Sequence, residues 1–394
     1  MATRQSPGRL SGIDAARGIA LFGMMSTHVF PLYVDSTADP SWIGLTFSGR
    51  SSALFALVAG IGLALLTGGY RQHNSAGISR DRRGIAARAV VIAMVGLMLG
   101  GLETNIAVIL FHYGVLFLLA LPFVGLPLRK LAWWAAGWTL LSPVAAFLLR
   151  PWAQASISPA DLGANPALEH FGEPATLLAD ILLTGYYPAI QWLSYLLIGM
   201  AIGRLNLAAA PVQVGLLAGG IGLAGVAKFT SALLLGPLGG LEALLQTPQG
   251  REYNIEAMMS VSLTGIEQSG TWLWLAVSAP HSGTPLDLAH TAGTAAAVVG
   301  LCLLVARKLE WLLLPLSAPG AMTLTLYSLH IWTMSVVDQQ EPALDPAPVY
   351  WAQVAVFVAL GLLLRRLNAR GPLEFVAAGA SDVARSPSTR TKNS

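Results

Sequence analysis

Arg9-Leu10-Ser11-Gly12-Ile13-Asp14-Ala15-Ala16-Arg17-Gly18 runs without a break into an apolar helix that carries His28. A short polar loop follows, Asp35 to Arg50, ending Phe47-Ser48-Gly49-Arg50. A second apolar helix, Ser52 to Gly69, closes the stretch. An ion pair at one end of a membrane helix, a histidine near its other end and an arginine beside it are all costly in lipid. Such placements mark function by default.

The rest of the chain supports the membrane setting. Of 394 residues, 54% are apolar and only 11% charged, well below the roughly 25% of a soluble domain. The expected fold is an all-α polytopic membrane protein. About 20 apolar residues cross a bilayer, and ten stretches qualify: 16–34, 52–70, 86–103, 105–126, 130–149, 178–203, 211–236, 285–306, 311–337 and 348–367. The links 102–105 and 127–129 are short, which makes their neighbours antiparallel hairpins. Residues 257–279, with Trp272 and Trp274, are expected as an extra re-entrant segment. Residues 1–379 read as a single transmembrane domain and 380–394 as a disordered cytoplasmic tail.

Orientation follows from Lys and Arg, which concentrate in cytoplasmic loops. With both termini inside, the inner segments hold Arg4, Arg9 and Arg17; Arg71, Arg80, Arg82, Arg83 and Arg88; Arg129 and Lys130; Arg204; Arg307 and Lys308; and Arg365, Arg366, Arg370, Arg385, Arg390 and Lys392. Those are 19 of the 23 basic residues; Arg50, Arg150, Lys228 and Arg251 fall elsewhere. The acidic residues lean outward, among them Asp35, Asp39, Asp161, Asp180, Asp338 and Glu341. The first apolar run is not followed by a small-residue cleavage site, so no cleavable signal peptide is expected. The single cysteine, Cys302, excludes an intrachain disulfide framework and a cysteine-based metal site. The expected location is a multi-pass position in a bacterial plasma membrane.

This topology puts His28, His112, His290 and His330 in the outer half of the bundle, with Arg50 on the same side and His281 just outside. Histidine takes and returns a proton near neutral pH, so four in one leaflet suggest a shared polar cavity. Each also fits a plainer role as an interhelical hydrogen-bond partner. His330 lies among Thr323, Thr325, Tyr327 and Ser328. Asp287–His290 is the only close acid–histidine pair within the expected spans, and no HxxxH or HExxH spacing occurs, so no metal site is expected. Asp14 and Arg17, three residues apart, share a helix face. They serve as an entry ion pair or as an anchor for an anionic ligand. Lys228 snorkels or pairs with an acid. His73 and His170 read as solvated. Gly96-x-x-x-Gly100 and Gly215-x-x-x-Gly219 read as close-packing faces.

The opening stretch resembles that of polytopic acyltransferases related to heparan-α-glucosaminide N-acetyltransferase and the bacterial YeiB-like family. The resembling pieces are Ile13-Asp14-Ala15-Ala16-Arg17-Gly18-Ile19-Ala20-Leu21, Phe47-Ser48-Gly49-Arg50-Ser51-Ser52-Ala53-Leu54-Phe55, Gly60-Ile61-Gly62, His112-Tyr113-Gly114-Val115-Leu116, Gly320-Ala321-Met322-Thr323-Leu324-Thr325-Leu326-Tyr327 and Arg370-Gly371-Pro372-Leu373-Glu374. The resemblance implies acyl transfer across a membrane. Acyl-CoA, most simply acetyl-CoA, is the co-substrate from the cytoplasm, and no resident cofactor is needed. The acceptor is an extracytoplasmic sugar amine or hydroxyl. Membrane lipid is the surrounding partner, nucleic acid is not one, and a homodimer is compatible. The family carries an asparagine at the position of His28. The resemblance places its active-site histidine at Asp39, before Pro40-Ser41-Trp42.

The expected catalytic residues are therefore His28, first choice as general base, then His330 and Asp39, with Arg50 stabilising the oxyanion. Asp14, Arg17, Trp42, His112, Tyr113, His281, Asp287, His290 and Tyr327 are the expected substrate-binding residues. The competing reading is a proton-coupled transporter or flippase of an amphipathic metabolite or lipid-linked sugar.

Overall fold

The computed structural model describes residues 10–34, 39–155, 163–340, 342 and 344–386. Among them the only strand-like pairing is a single bridge, Tyr33 to Pro40. Arg4, Arg9, Asp35, Asp161, Glu341, Arg390 and Lys392, named above, lie outside the described residues.

The chain begins with α1 (Ser11–Val29), α2 (Trp42–Phe47), α3 (Arg50–Leu66), α4 (Ser75–Gly100), α5 (Leu110–Ala120) and α6 (Leu128–Gln154). It continues through α7 (Pro174–Ala179), α8 (Ala189–Gly203), α9 (Ala210–Leu235) and three short helices, α10 (Gly240–Leu245), α11 (Pro248–Glu252) and α12 (Ile255–Val261). It ends with α13 (Pro285–Leu309), α14 (Leu314–Gly320), α15 (Thr323–Val337), α16 (Pro346–Arg366) and α17 (Pro372–Arg385). Among the described residues six helical stretches are long and apolar enough to cross a membrane: 42–66, 75–100, 128–154, 210–235, 285–320 and 346–366. A seventh counts if Pro174–Thr184 and Ala189–Gly203, bent by 51°, form one span. The chain fits a multi-pass membrane protein.

The other three expected spans form helices in the same bundle but fall short of that standard. α1 is 19 residues long and carries Asp14, Arg17 and His28, which lower its apolarity. The expected span at 105–126 loses its first turns, because the chain stays non-helical until Leu110. There Asn165 accepts from Val108 N at 2.7 Å and donates to Ile106 O at 2.8 Å. The expected span at 311–337 is broken at Ala321–Met322, leaving α15 with 15 residues.

Close backbone crossings set α1 in the centre. A Cβ on Gly18 would strike the Leu316 carbonyl oxygen, and one on Gly320 would strike that of Asp14. α14 thus crosses α1 at two glycines, and only glycine permits backbones to approach so closely. At the far end α3 starts from Gly49 with φ 66, and a Cβ there would meet Pro280 at 2.7 Å.

The basic loops gather at one end of the bundle, linked by hydrogen bonds and ion pairs. Buried Arg204, at the end of α8, donates to the carbonyls of Ala64 (3.0 Å), Thr67 (3.4 Å), Gly69 (3.1 Å) and Val124 (2.6 Å), and to Thr67 Oγ1 (2.8 Å). The charge is spread over carbonyl dipoles from the loops that follow α3 and α5. Arg307 reaches Ala208 O (3.0 Å), Arg365 reaches Glu310 (3.4 Å) and Arg385 on α17 reaches Asp81 on α4 (3.4 Å). Residues 380–385, expected in the tail, are the last turns of α17; residues 387–394 lie outside the described residues. At the opposite end, 257–279 takes the form of short turns around a small apolar core of its own, including Leu244, Ile255, Leu263, Ile266 and Trp274. Its longest helix segment, α12, has seven residues.

Gly320→Ala should destabilise the α1–α14 crossing by about 1–3 kcal/mol, the cost of overpacking a close contact. Thermal unfolding in detergent checks this, and an unchanged midpoint would show that the two backbones can separate freely.

Candidate active site

A cavity of about 490 Å³ lies between α1, α3, α4, α5 and the break before α15. Its walls are largely apolar, with Phe55, Ile92, Leu110 and Phe117 among them, and its polar lining is Arg17, Arg88, Tyr113, Thr323 and Glu374. Arg17 donates to Asp14 at 2.9 Å, and Asp14 is buried while Arg17 stays half-exposed. The ion pair therefore holds the guanidinium at the cavity wall. Gly62 leaves room for it, since a Cβ there would lie 3.1 Å from Arg17 Nη2.

Glu374 closes the other side. Its carboxylate accepts from Leu324 N (2.7 Å), Thr325 N (3.2 Å) and Thr325 Oγ1 (2.6 Å). These are the first amides of α15, which no intrahelical carbonyl can satisfy, and a negative charge there also meets the positive end of the helix dipole. The cavity thus contains two arginines, a carboxylate and a helix N-terminus.

Two turns further along α15, about 10 Å from Thr323 at 1.5 Å per residue, His330 meets His28 of α1. His28 Nδ1 and His330 Nε2 are 3.1 Å apart, and the two rings are nearly parallel, 12° apart, with centroids at 5.3 Å. His330 is fully buried and His28 is partly open. His330 Nδ1 lies 2.8 Å from Gln353 Oε1 on α16. Tyr327, one turn before His330, presents its ring edge to His28 at 6.5 Å. Its hydroxyl accepts from Ile109 N at 3.4 Å, next to cavity-lining Leu110. Tyr113 lines the cavity with a hydroxyl that has no hydrogen-bond partner among the described residues. Tyr327 thus reaches from the histidine pair to Ile109, beside the cavity wall, and Tyr113 lines that wall.

The structure brings only part of the expected site together. His28, His330 and Tyr327 form one group; Arg17, held by Asp14, and Tyr113 border the cavity. Asp39 is exposed beside the Tyr33–Pro40 bridge, and Trp42 is 69% exposed. Arg50 donates to Leu45 O at 2.8 Å and lies within electrostatic range of Asp287 and Lys228. No contact joins it to His28 or His330. Asp287 accepts from Gly283 N at 3.0 Å, capping its own loop, and Lys228 donates to Ser278 O at 3.2 Å. His290 Nδ1 donates to Ala224 O at 3.2 Å, tying α13 to α9. His112 is buried against Phe111 and Tyr187. His281 stacks on Trp192 in the loop before α13. His73, expected to be solvated, lies 2.7 Å from buried Asp81.

Three residues of this arrangement were not expected in it. Arg88 counted only as a topology marker, although it sits well inside α4. Glu374 belonged to a resembling motif without a role. Gln353 was a polar residue inside an apolar span, which was the available sign. Among the described residues no group of three or more His, Cys, Asp or Glu is placed to hold a metal ion.

The family model for the heparan-alpha-glucosaminide N-acetyltransferase catalytic domain matches residues 9–219, more than half the chain. The chain belongs to this acetyltransferase family. The matched segment holds Arg17, His28, Arg88 and Tyr113; His330, Gln353 and Glu374 lie beyond it. No curated protein matches the chain.

His281 offers a pH test at the end opposite the basic loops. It adopts φ 59, a left-handed backbone that few non-glycine residues take. Burial pushes its imidazole from 6.5 down to about 4, against the hydrogen bond to the Tyr186 backbone. Between those values the unfolded chain binds more protons than the fold, so stability falls as pH drops through that window. His281→Asn keeps a residue that tolerates this backbone and removes the titration. Its stability should vary less steeply with pH between 4 and 6.5 than the wild type's. Denaturant unfolding across that range checks this, and an identical slope would show that His281 is already protonated in the fold.

Proposed function

We propose that the chain transfers an acetyl group from cytoplasmic acetyl-CoA to an amine or hydroxyl acceptor, such as an amino sugar, on the outer side of a bacterial plasma membrane. In this reading α1, α5 and α15 complete a ten-span bundle with the seven stretches that meet the crossing criterion. Both termini are cytoplasmic, so the basic end faces the cytoplasm. The observation that carries the reading is the cavity with Arg17 and Arg88 toward the basic end, beside the helix whose Tyr327 and His330 meet His28. Membership of an acetyltransferase family supports it.

The donor's phosphates meet Arg17 and Arg88, and its thioester arm extends along α15 toward the pair. His28 Nδ1 is engaged by His330, and Nε2 makes no hydrogen bond to a described residue. Nε2 is the free base. As the acceptor nitrogen or oxygen attacks the thioester carbonyl, His28 takes its proton. The new C–N or C–O bond forms, the C–S bond breaks, and the proton passes to the departing thiolate, which leaves as CoA thiol. No covalent enzyme intermediate is required. Arg50 and Asp39, expected in catalysis, stand apart from the pair and have no part in this step.

Purified protein with labelled acetyl-CoA and a panel of amino sugars should yield labelled acceptor and free CoA thiol. Absence of both across varied acyl-CoAs and acceptors would overturn the reading. His28→Ala should lower kcat by about 100-fold or more, the usual contribution of a general base, with donor KM little changed. Arg17→Ala and Arg88→Ala should do the reverse. Each loses a charge-assisted contact of about 1.5–3 kcal/mol, so donor KM should rise roughly tenfold or more with kcat nearly constant. A kcat loss without a KM change would remove the arginines from donor binding.

A further inference from the structure

We infer that Gln353 is a positioning residue that sets the protonation pattern of the histidine pair and so fixes which nitrogen of His28 is the base. The inference rests on the acyl-transfer reading for its consequence, but not for its geometry.

Gln353 is a buried polar residue on α16, a helix otherwise largely exposed along its length. A polar side chain at such a position is costly unless bonded. Its amide orientation follows from its neighbours. Nε2 lies 3.4 Å from the Val349 carbonyl oxygen and 3.7 Å from Met334 Sδ. Both are acceptors, so the NH2 group belongs there. The reversed amide would set its oxygen against a carbonyl oxygen. Oε1 therefore faces His330 Nδ1 at 2.8 Å as an acceptor, and Nδ1 must carry the proton.

A neutral imidazole has one donor and one acceptor. With its proton on Nδ1, His330 presents a lone pair at Nε2. That lone pair lies 3.1 Å from His28 Nδ1, which must then donate. His28 in turn has its proton on Nδ1 and its lone pair on Nε2, the ring nitrogen that makes no bond to a described residue. One amide oxygen on α16 thus dictates the state of two rings on α15 and α1. When His28 takes a proton at Nε2 it becomes an imidazolium, and its Nδ1–H bond to His330 strengthens. Gln353 Oε1 polarises His330 in the same direction. The shift needs no acid and no net charge on the pair at rest, which suits a dry interior.

The register of α16 is itself held. Tyr350, one turn before Gln353, donates its hydroxyl to the Phe22 carbonyl of α1 at 3.2 Å. The helix that carries the orienting amide is thereby fixed to the helix that carries the base.

The test has two arms. In nitrogen-15 NMR of histidine-labelled full-length protein, His330 should be protonated at Nδ1 and His28 likewise, with Nε2 unprotonated in both. Protonation of His330 at Nε2 overturns the inference whether or not the protein turns over. In kinetics with acetyl-CoA, Gln353→Leu removes the acceptor at similar volume. It should lower kcat at least about tenfold while donor KM stays within about twofold. Gln353→Glu retains an oxygen at the same position and should restore kcat to within about threefold of wild type. Leucine-variant kcat equal to wild type, or a glutamate variant as slow as the leucine one, overturns it. Wild-type protein that transfers nothing would instead overturn the acyl-transfer reading, and the tautomer result would then decide the relay alone.

Discussion

The carboxylate of Glu374 makes the rest of this arrangement possible. A helix that starts inside a packed bundle leaves its first amides without an intrahelical carbonyl to bond, at a cost for each buried group left unsatisfied. The break at Ala321–Met322 leaves Leu324 and Thr325 in that position, and Glu374 accepts from both amides and from the threonine hydroxyl. Because that end of α15 is satisfied from a distant helix, α14 and α15 need not share an axis. α14 is free to cross α1 at Gly18 and Gly320, and α15 to run beside α1 until His330 meets His28. The cavity occupies the space beside the break.

The charges of the cavity obey the same constraint. A buried charge without a partner costs more than a surface ion pair returns. Asp14 is buried and carries Arg17; Glu374 is held by helix amides and lies within electrostatic range of Arg88. Arg17, already paired with Asp14, and Arg88 both line a largely apolar cavity. Arg204 shows the opposite use of an arginine. Its guanidinium is bonded to four backbone carbonyls and a hydroxyl, and it ties together the loops after α3 and α5. The two kinds of arginine look alike in sequence, because both stand where positive charge marks one face of the membrane.

Long apolar runs and clustered basic residues made the all-helical multi-pass character and the separation of a basic end legible, since both depend on composition over many residues. The breaks were not legible. The chain stays extended before Leu110 because Asn165, far along the sequence, bonds Ile106 and Val108. It breaks before Thr323 because Glu374 receives the amides beyond the break. Hydropathy is blind to partners of that separation. His28 and His330 could be named from depth alone, and they do meet. Depth also named His290 and His112, which pack elsewhere, because position along the membrane normal says nothing about the direction a side chain takes around its helix. Asp39 was named by alignment to a family histidine, yet it is exposed beside the Tyr33–Pro40 bridge.

The distance between cavity and histidine pair carries its own constraint. Arg17 and His28 are eleven residues apart on one helix, about 16 Å at 1.5 Å per residue. A ligand anchored by its charge at Arg17 and reacting at His28 must carry a long, thin, uncharged arm between the two. The intervening walls, Phe55, Leu110 and Phe117 beside the tyrosine hydroxyls of Tyr113 and Tyr327, suit such an arm and disfavour charge along it. A compact anion would satisfy the arginines and never reach the base. A phosphate-bearing thioester on an extended arm meets both requirements at once, and this favours acyl transfer over the transport of a compact charged solute.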